Sequence, residues 1–466
     1  MRTPAGADPT RCKDNTTETE KTVQKSYDWI MVGGGFKSMV AAYARATDGQ
    51  SVLLIESGPA LGGFMSPIKW GEFWIDKGPQ FFDNFEEADK QFITGMVGEG
   101  VFEDIGFTYA SFLNGRKTDG FAIPDWRARG ADFASAAFAD LLFARMNGHG
   151  TVAEFEDFGA LLAHDGGAIL TADLFDLTRK FLRRDASDLS PHARNMVTYV
   201  GRKLLFDQEV STDLKRSALL DGLLAAQKKS ISDTRYNLYP KGSNLETVRV
   251  AMDRALHDAG VDVLLNTGLE GIDASARQCR IVGQSVGYDR LFFGCDAREA
   301  EKMLFGTQSL LEQTHMLPEI FHCYTVPRDS LDAAYYLVDY DPAHLSTRMT
   351  NFSNFMHAYD AEGNGVFCVE QAIDRDSPEW DDPSASQARI FAEAREAGNV
   401  DADHFKDAKS FRIPVTYKVP LTGFVAADAA LSARIAADHG DSVVVPNTLS
   451  LTRKQTLDDL RQLEIL

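Results

Sequence analysis

Cysteine is scarce in this chain: Cys12, Cys279, Cys295, Cys323 and Cys368 are scattered over 466 residues, with no C-x-x-C pair among them. So few thiols exclude a disulfide scaffold and a thiolate zinc site, and they fit a reducing compartment. No run approaches the roughly 18 consecutive apolar residues of a membrane-spanning helix. The opening stretch lacks the apolar middle of a signal peptide, so residues 1–25 read as a flexible polar tail and the location expected is cytoplasmic. On that expectation the sequon at Asn15-Thr16-Thr17 is accidental. Basic residues are the minority, 48 Lys and Arg against 68 Asp and Glu, a formal net charge of −20. Such a surface repels phosphate backbones and excludes general nucleic-acid binding, while leaving room for a local basic pocket. The ten histidines form no H-E-x-x-H or similar pattern, so no metal site is expected. There is no phosphate-binding P-loop, no G-x-S-x-G elbow and no internal repeat. What is present is an ordinary globular composition, 44% hydrophobic, on a chain long enough for two or three domains.

The hydrophobic pattern is that of an α/β protein. "YDWIMV" (27–32) reads as a buried strand running into Gly33-Gly34-Gly35. "SMVAAYARA" (38–46) follows as a small-residue helix ended by Gly49, and "SVLLIE" (51–56) as a second buried strand ending on an acid. Residues 57–85, rich in glycine and aromatics, read as a functional loop with short strands. Residues 91–237 read as a mostly helical cap, with helical spacing at 131–146, 172–184 and 213–229. Asn114-Gly115 predicts a tight hairpin within that block. From 238 the alternation returns, with a helix, a strand at 261–266 and another at 288–297. Four adjacent segments in 319–373, "EIFHCYTV", "AAYYLVDYD", "STRMTNFSNF" and "GVFCVEQAI", predict one antiparallel or mixed sheet in a substrate domain over 301–409. Asp382-Pro383 opens an acidic helix, and the chain closes with strand 442–446 and a helix from "TRKQ".

The glycine turn has a chemistry of its own. A dinucleotide needs one glycine for the bend, a second for close approach of the pyrophosphate, and a third for packing helix on strand. Gly33 and Gly35 fill the first two places, Gly34 adds freedom, and Ser38 stands in the third. The amides of Phe36, Lys37 and Ser38 then open the helix toward a phosphate. Lys37 is either a solvated helix residue or a phosphate contact. An acid is expected about 20 residues further on, for the ribose hydroxyls, and Glu56 with Ser57 is in that position.

Glu56, "LGGFM" (61–65), "WIDKGPQFF" (74–82), "YPKG" (239–242), "GVDVLLNTGLEGI" (260–272) and "YDRLFFGCDA" (288–297) together resemble the flavin fold of amine oxidases, protoporphyrinogen oxidase, carotenoid desaturases and UDP-galactopyranose mutase. The resemblance implies a Rossmann-like FAD-binding domain split over 26–90, 238–300 and 410–466. It implies that Gly62, Gly63, Phe64 and Met65 wrap FAD, that Gly78, Pro79, Gln80 and Phe81 lie against its ring, and that the backbone of Leu269 meets the adenine. A Rossmann turn alone fits NAD equally; the split arrangement favours FAD. Two positions depart from the pattern: Phe64 replaces a basic residue frequent after the glycine pair, and Gln80 a histidine that often follows Gly-Pro in the mutases. A third departure is the last turn, "PNTLSLTRKQ" (446–455), which has no glycine; there Ser450, Leu451 and Thr452 are expected over the flavin, with Ser450 or Thr452 as helix cap.

For the substrate, Arg348 is the first candidate, as a two-pronged contact for an anion or carbonyl, or else a surface strand arginine. Asn351 and Asn354 are candidate polar contacts; Tyr239, Lys241, Tyr417 and Lys418 form a second tier. His322, His344 and His357 fall near the same sheet. Trp70, Phe73, Trp74, Phe81 and Phe82 either wall the flavin or fill a core. No catalytic residue stands out. The reading is an FAD-dependent oxidoreductase with a small-molecule substrate, a homodimer being compatible with it. Two alternatives stay open: a redox-neutral sugar-nucleotide mutase, and a binding protein of the kind that Rab GDP-dissociation inhibitors represent.

Overall fold

The computed structural model describes residues 24–146, 148, 151–227, 235–356 and 358–466. The expected tail, but for its last two residues, lies outside that set, as do Cys12, Asn15 and His357. The first strand, Ser26–Val32, pairs in parallel with Val52–Ile55 on one side and Gln284–Phe293 on the other. Asp262–Leu264 adds to Val52–Ile55, and Val443–Val444 to the far end of Gln284–Phe293. An antiparallel ribbon, Leu269–Asp273 and Gln278–Ile281, completes this seven-stranded sheet. The helices Phe36–Thr47 and Leu245–Asp258 pack their apolar faces beside it, Met39, Val40, Val248 and Met252 being fully buried. Parallel strands covered on both faces need the near-continuous apolar runs that "WIMV", "VLLI" and "RLFF" supply.

A second seven-stranded sheet is largely antiparallel and runs in the order 407–420, 314–327, 364–372, 348–350, 336–339, 109–113, 116–119. It corrects two expected boundaries. The strand Asp407–Pro420 is an edge of this sheet, so the sheet domain runs past 409 and residues 410–420 do not belong with the nucleotide sheet. The hairpin Tyr109–Leu113 with Arg116–Asp119, expected inside the helical cap, joins the same sheet beside Tyr336–Asp339. Its turn is as predicted, Asn114 and Gly115 having φ of 49° and 73°.

The cap contains Ala131–Met146 and the long helix Phe158–Leu182, interrupted at Gly167. The helix expected over 213–229 is, as far as residue 227, the end of Gln208–Leu214 and a single turn at Ala218–Asp221; 228 and 229 lie outside the described residues. The segment "STRMTNFSNF" is a strand only over Arg348–Thr350; Phe352–Met356 is helical and buries Phe352, Phe355 and Met356 under the sheet.

Candidate functional site

The first strand delivers Gly33 into a left-handed bend, φ +92°, where a Cβ would lie 2.7 Å from that of Cys295. The chain then turns into Phe36–Thr47 with no side chain capping the helix. Gly35 sits at that N-terminus, and a Cβ built on it meets no described atom within 4 Å. A helix start with open amides and open space beside it is a cradle for an anion. Glu56 is placed against this turn: one carboxylate oxygen accepts from the Gly34 amide and the other from the Gly58 amide, each at 2.6 Å. Gly62 pairs with Gly35, its amide donating to the Gly34 carbonyl at 2.7 Å, so the 61–65 segment closes over the turn. Leu269 follows directly on this region, since the Thr267 amide donates to the Glu56 carbonyl at 2.9 Å.

Ser38 is fully buried. The packing that a third glycine would allow is supplied from the other partner: Gly294 lies opposite, where a Cβ would collide with Ser38 Oγ and approach Phe292 at 2.9 Å. The close contact of helix on strand is therefore kept, with the small residue moved across the interface.

A cleft of about 610 Å³ runs from the glycine turn to the second sheet. Of the residues singled out in the sequence it brings together Gly35, Phe36, Lys37, Gly62, Phe64, Met65, Pro79, Gln80, Phe81, Leu451 and Thr452 with Arg348 and Tyr417. Gly78 is packed on the same wall, its Cβ position 3.1 Å from Arg348 Nη2. Gly33, Gly34, Ser38, Glu56, Ser57, Gly63, Leu269 and Ser450 are outside this wall; the first five shape the turn behind it. Of the aromatic cluster only Phe81 reaches the cleft; Phe73 and Phe82 are core, and Trp70 and Trp74 pack against that core.

The last turn is held without glycine. Thr452 caps the helix Arg453–Gln462 in a reciprocal box with Gln455, whose side chain accepts from the amides of Leu451 (2.9 Å) and Thr452 (3.0 Å). Thr452 rather than Ser450 is thus the cap, and these amides are already satisfied. Lys37 is neither solvated nor turned to the cleft alone: its ammonium donates to the Asn447 carbonyl at 2.9 Å and faces Asp459 at 3.5 Å. Arg453, which sequence reasoning passed over, donates to the Phe81 carbonyl and to Gln80 Oε1, both at 2.9 Å, and lies over the Phe82 ring. Gln80 in turn donates to the carbonyls of Phe64 (3.2 Å) and Lys77 (3.0 Å), so the departing residue ties the two glycine-rich segments together. Behind them Asp76 is buried; burial pushes its carboxyl up to about 7, against the hydrogen bond that Tyr239 donates to it at 2.5 Å.

At the sheet end Arg348 lines the cleft with a partner that the sequence did not display. Its guanidinium is engaged in a two-pronged ion pair with Glu370, at 3.0 and 2.6 Å, on the directly opposite residue of the next strand. Its Nε–Nη2 edge is thereby occupied, while the residue still lines the cleft. Asn351 and Asn354 do not reach the cleft; their amides tie the loop carbonyls of Asp332 and Ala334. Tyr239 is core, Lys241 is exposed elsewhere, and Lys418 is paired with Asp296. His322 and His344 are structural, bonded to Ser410 and Gln371, and to Asp339. Glu319, Glu370, Tyr336 and Thr416 line the cleft instead, facing Phe181, Met196 and Thr198 of the cap.

This architecture, a Rossmann-type turn opening onto a second sheet beneath a helical cap, is the fold also seen in a UDP-galactopyranose mutase, a protein assigned as a protoporphyrinogen oxidase and a putrescine oxidase. Residues 31–93 match the model of the NAD(P)-binding Rossmann-like domain. The chain is similar to reduced UDP-galactopyranose mutase, with a TM-score of 0.72 and 13% identity over 95% of this chain and 96% of that one. It is similar to a protein assigned as a protoporphyrinogen oxidase from Exiguobacterium sp. 255-15, with a TM-score of 0.64 and 16% identity over 93% and 97%. Putrescine oxidase bound to putrescine gives a TM-score of 0.59 and 12% identity over 94% and 98%. No curated protein matches the chain in sequence. Among the described residues no helix is long and apolar enough to cross a membrane, and no group of three metal-ligating side chains is assembled.

Proposed function

We propose that the chain is an FAD-dependent oxidoreductase acting on a small organic substrate. The observation that carries this reading is the single cleft joining an uncapped helix start, with empty space at Gly35, to a sheet wall of buried polar side chains. The residues fit the cofactor: open amides for a pyrophosphate at 35–38, Glu56 with lone pairs left for ribose hydroxyls, and the Leu269 backbone near the adenine end. Gly62 to Met65, Gly78 to Phe81, Leu451, Thr452 and Arg453 would hold the ring. Bound FAD would supply an acceptor for a hydride taken from a substrate C–H bond. The chain's part is to orient the substrate against the sheet and to exclude water. Phe181, Leu182, Met196 and Val197 of the cap make that end apolar.

The test is the visible spectrum of the purified protein, with and without added FAD, followed by anaerobic bleaching against amines, alcohols and terpenoids. Flavin absorbance that bleaches with one class and returns in air supports the oxidoreductase. Turnover of a sugar nucleotide only after dithionite reduction supports the mutase. The likeness in fold keeps that second reading in view, and the engagement of Arg348 by Glu370 weighs against it, since a diphosphate needs a free cation there. A protein that takes up no FAD would be a binding protein.

A further inference from the structure

Glu319 opens a different question from its neighbours. It lies on Thr314–Pro327, directly after Pro318, where the pairing with Asp407–Pro420 shifts register. Proline offers no amide to a ladder, and a bulge re-aims the side chain that follows it. The result is a carboxyl on the cleft wall, 4% exposed, whose Oε2 has no hydrogen-bond partner among the described residues. The neighbouring cation, Arg348, gives its hydrogen bonds to Glu370 and none to Glu319 among the described residues. Two buried carboxyls thus share one guanidinium, and a second carboxylate left uncompensated out of water is costly enough to take up a proton instead.

We propose that Glu319 is held as a neutral carboxylic acid that donates a hydrogen bond to an acceptor oxygen or nitrogen of an uncharged substrate group at the sheet end of the cleft. The substrate class is then a carbonyl, amide, ether or neutral imine rather than an ammonium or a phosphate. Charge counting supports it: Arg348, Glu370 and a protonated Glu319 sum to zero. Burial, and then the charge of Glu370, push the Glu319 carboxyl up to about 8, against the opposing pull of Arg348 and a hydrogen bond with Thr416. Glu370, Arg348 and Tyr417 face it on the sheet; Lys37, Lys77, Asp83 and Arg453 are the charged groups on the rest of the cleft wall. The assignment rests on the proposed function only for the cofactor lying toward the glycine turn.

The test uses the full chain without cofactor, so the absence of flavin would count against the oxidoreductase alone. Infrared difference spectra at pH values well below and well above about 8 should show two protonated carboxyls lost on the alkaline side, Glu319 and Asp76, the first band absent in E319Q and retained in D76N, the second the reverse. Benzamide and benzylamine serve as neutral and cationic probes, read by thermal shift. Benzamide should stabilise the wild type, its affinity falling about tenfold per pH unit above the midpoint. E319Q, whose amide also donates, should keep the benzamide shift and lose its pH dependence, and E319L should lose the shift. A missing Glu319 band overturns the proposal. So does benzylamine binding more tightly than benzamide in the wild type and failing in E319Q, which would make Glu319 an ionised cation site.

Discussion

The two ends of the cleft are built from different materials. At the glycine end the turn that shapes the wall is main chain: amides, carbonyls and the space where side chains are missing. At the sheet end it is side chain, with Glu319, Arg348 and Glu370 brought within reach by strand register. A wall of backbone depends on sterics and is indifferent to pH. A wall of buried charges tolerates changes of shape and depends on the count of protons and partners. The difference predicts which substitutions each end will bear.

The largest effect is expected at the sheet. Arg348→Leu leaves Glu370, 2% exposed, without its partner and beside a second carboxyl. Urea unfolding at neutral pH should show a loss of about 3–5 kcal/mol, shrinking as acid protonates the pair. Arg348→Lys should recover only part of it, since an ammonium cannot match both oxygens. An unchanged stability would mean that this wall is not electrostatic at all.

The glycines should then split by geometry. Gly33→Ala puts a Cβ into Cys295 at a left-handed φ of +92°, and should cost about 2–4 kcal/mol. Gly35→Ala meets no described atom and has φ −74°, so the fold should change by no more than about 1 kcal/mol. It should nonetheless weaken ADP binding by at least about tenfold in calorimetry, if the open space is where phosphate sits. Equal effects of the two substitutions on stability would dissolve the distinction between scaffold and cradle.

Acid should find the sheet first. His315 and His322 both lie on Thr314–Pro327, next to the edge strand, and burial, the first cause for each, pushes them down to about 4. Their neutral forms stabilise the fold fully above an unfolded value near 6.5, and this contribution is lost as pH falls from there toward about 4. Each contributes a slope of up to about 1.4 kcal/mol per pH unit in that window. Denaturant titrations of His322→Gln should show the acid slope reduced by the share of one histidine; a slope unchanged in that variant would place the acid sensitivity elsewhere.

The same contrast explains what could be read from the sequence. The glycine turn, Glu56 and the 61–65 segment are local patterns in which backbone needs dictate residue type, so they are visible as strings. The pairing of Arg348 with Glu370 spans 22 residues and depends on strand register, which no string displays. Two signals were nonetheless there: a glutamate inside the apolar "GVFCVEQAI", and another opening "EIFHCYTV" after a proline. A charge embedded in a buried strand asks for a partner. Gly294 was equally hidden, because it answers Ser38 across a pair of parallel strands far apart in sequence. Arg453 went unnoticed because its partners Phe81 and Gln80 are 372 and 373 residues away along the chain. The helix expected over 213–229 had the right period, yet Leu223 and Leu224 are buried where the chain bridges to Lys203, so spacing alone does not hold a helix.

The smallest effect concerns the residue that seemed to break the fingerprint. Ser38 has a buried hydroxyl with no partner among the described residues, and an unsatisfied polar group carries a cost. Ser38→Ala removes that hydroxyl and keeps the Cβ that packs against Gly294, so it should raise stability by about 1 kcal/mol. Ser38→Gly also removes it but adds backbone entropy inside a helix, and should come out near zero. A loss in both variants would show that the hydroxyl is bonded in solution, through water or through a ligand, and that the third position of the turn does more than pack. Gly294→Ala, which drives a Cβ into Ser38 Oγ, should be rescued in part by Ser38→Gly, a coupling that would be absent if the two residues did not share one contact.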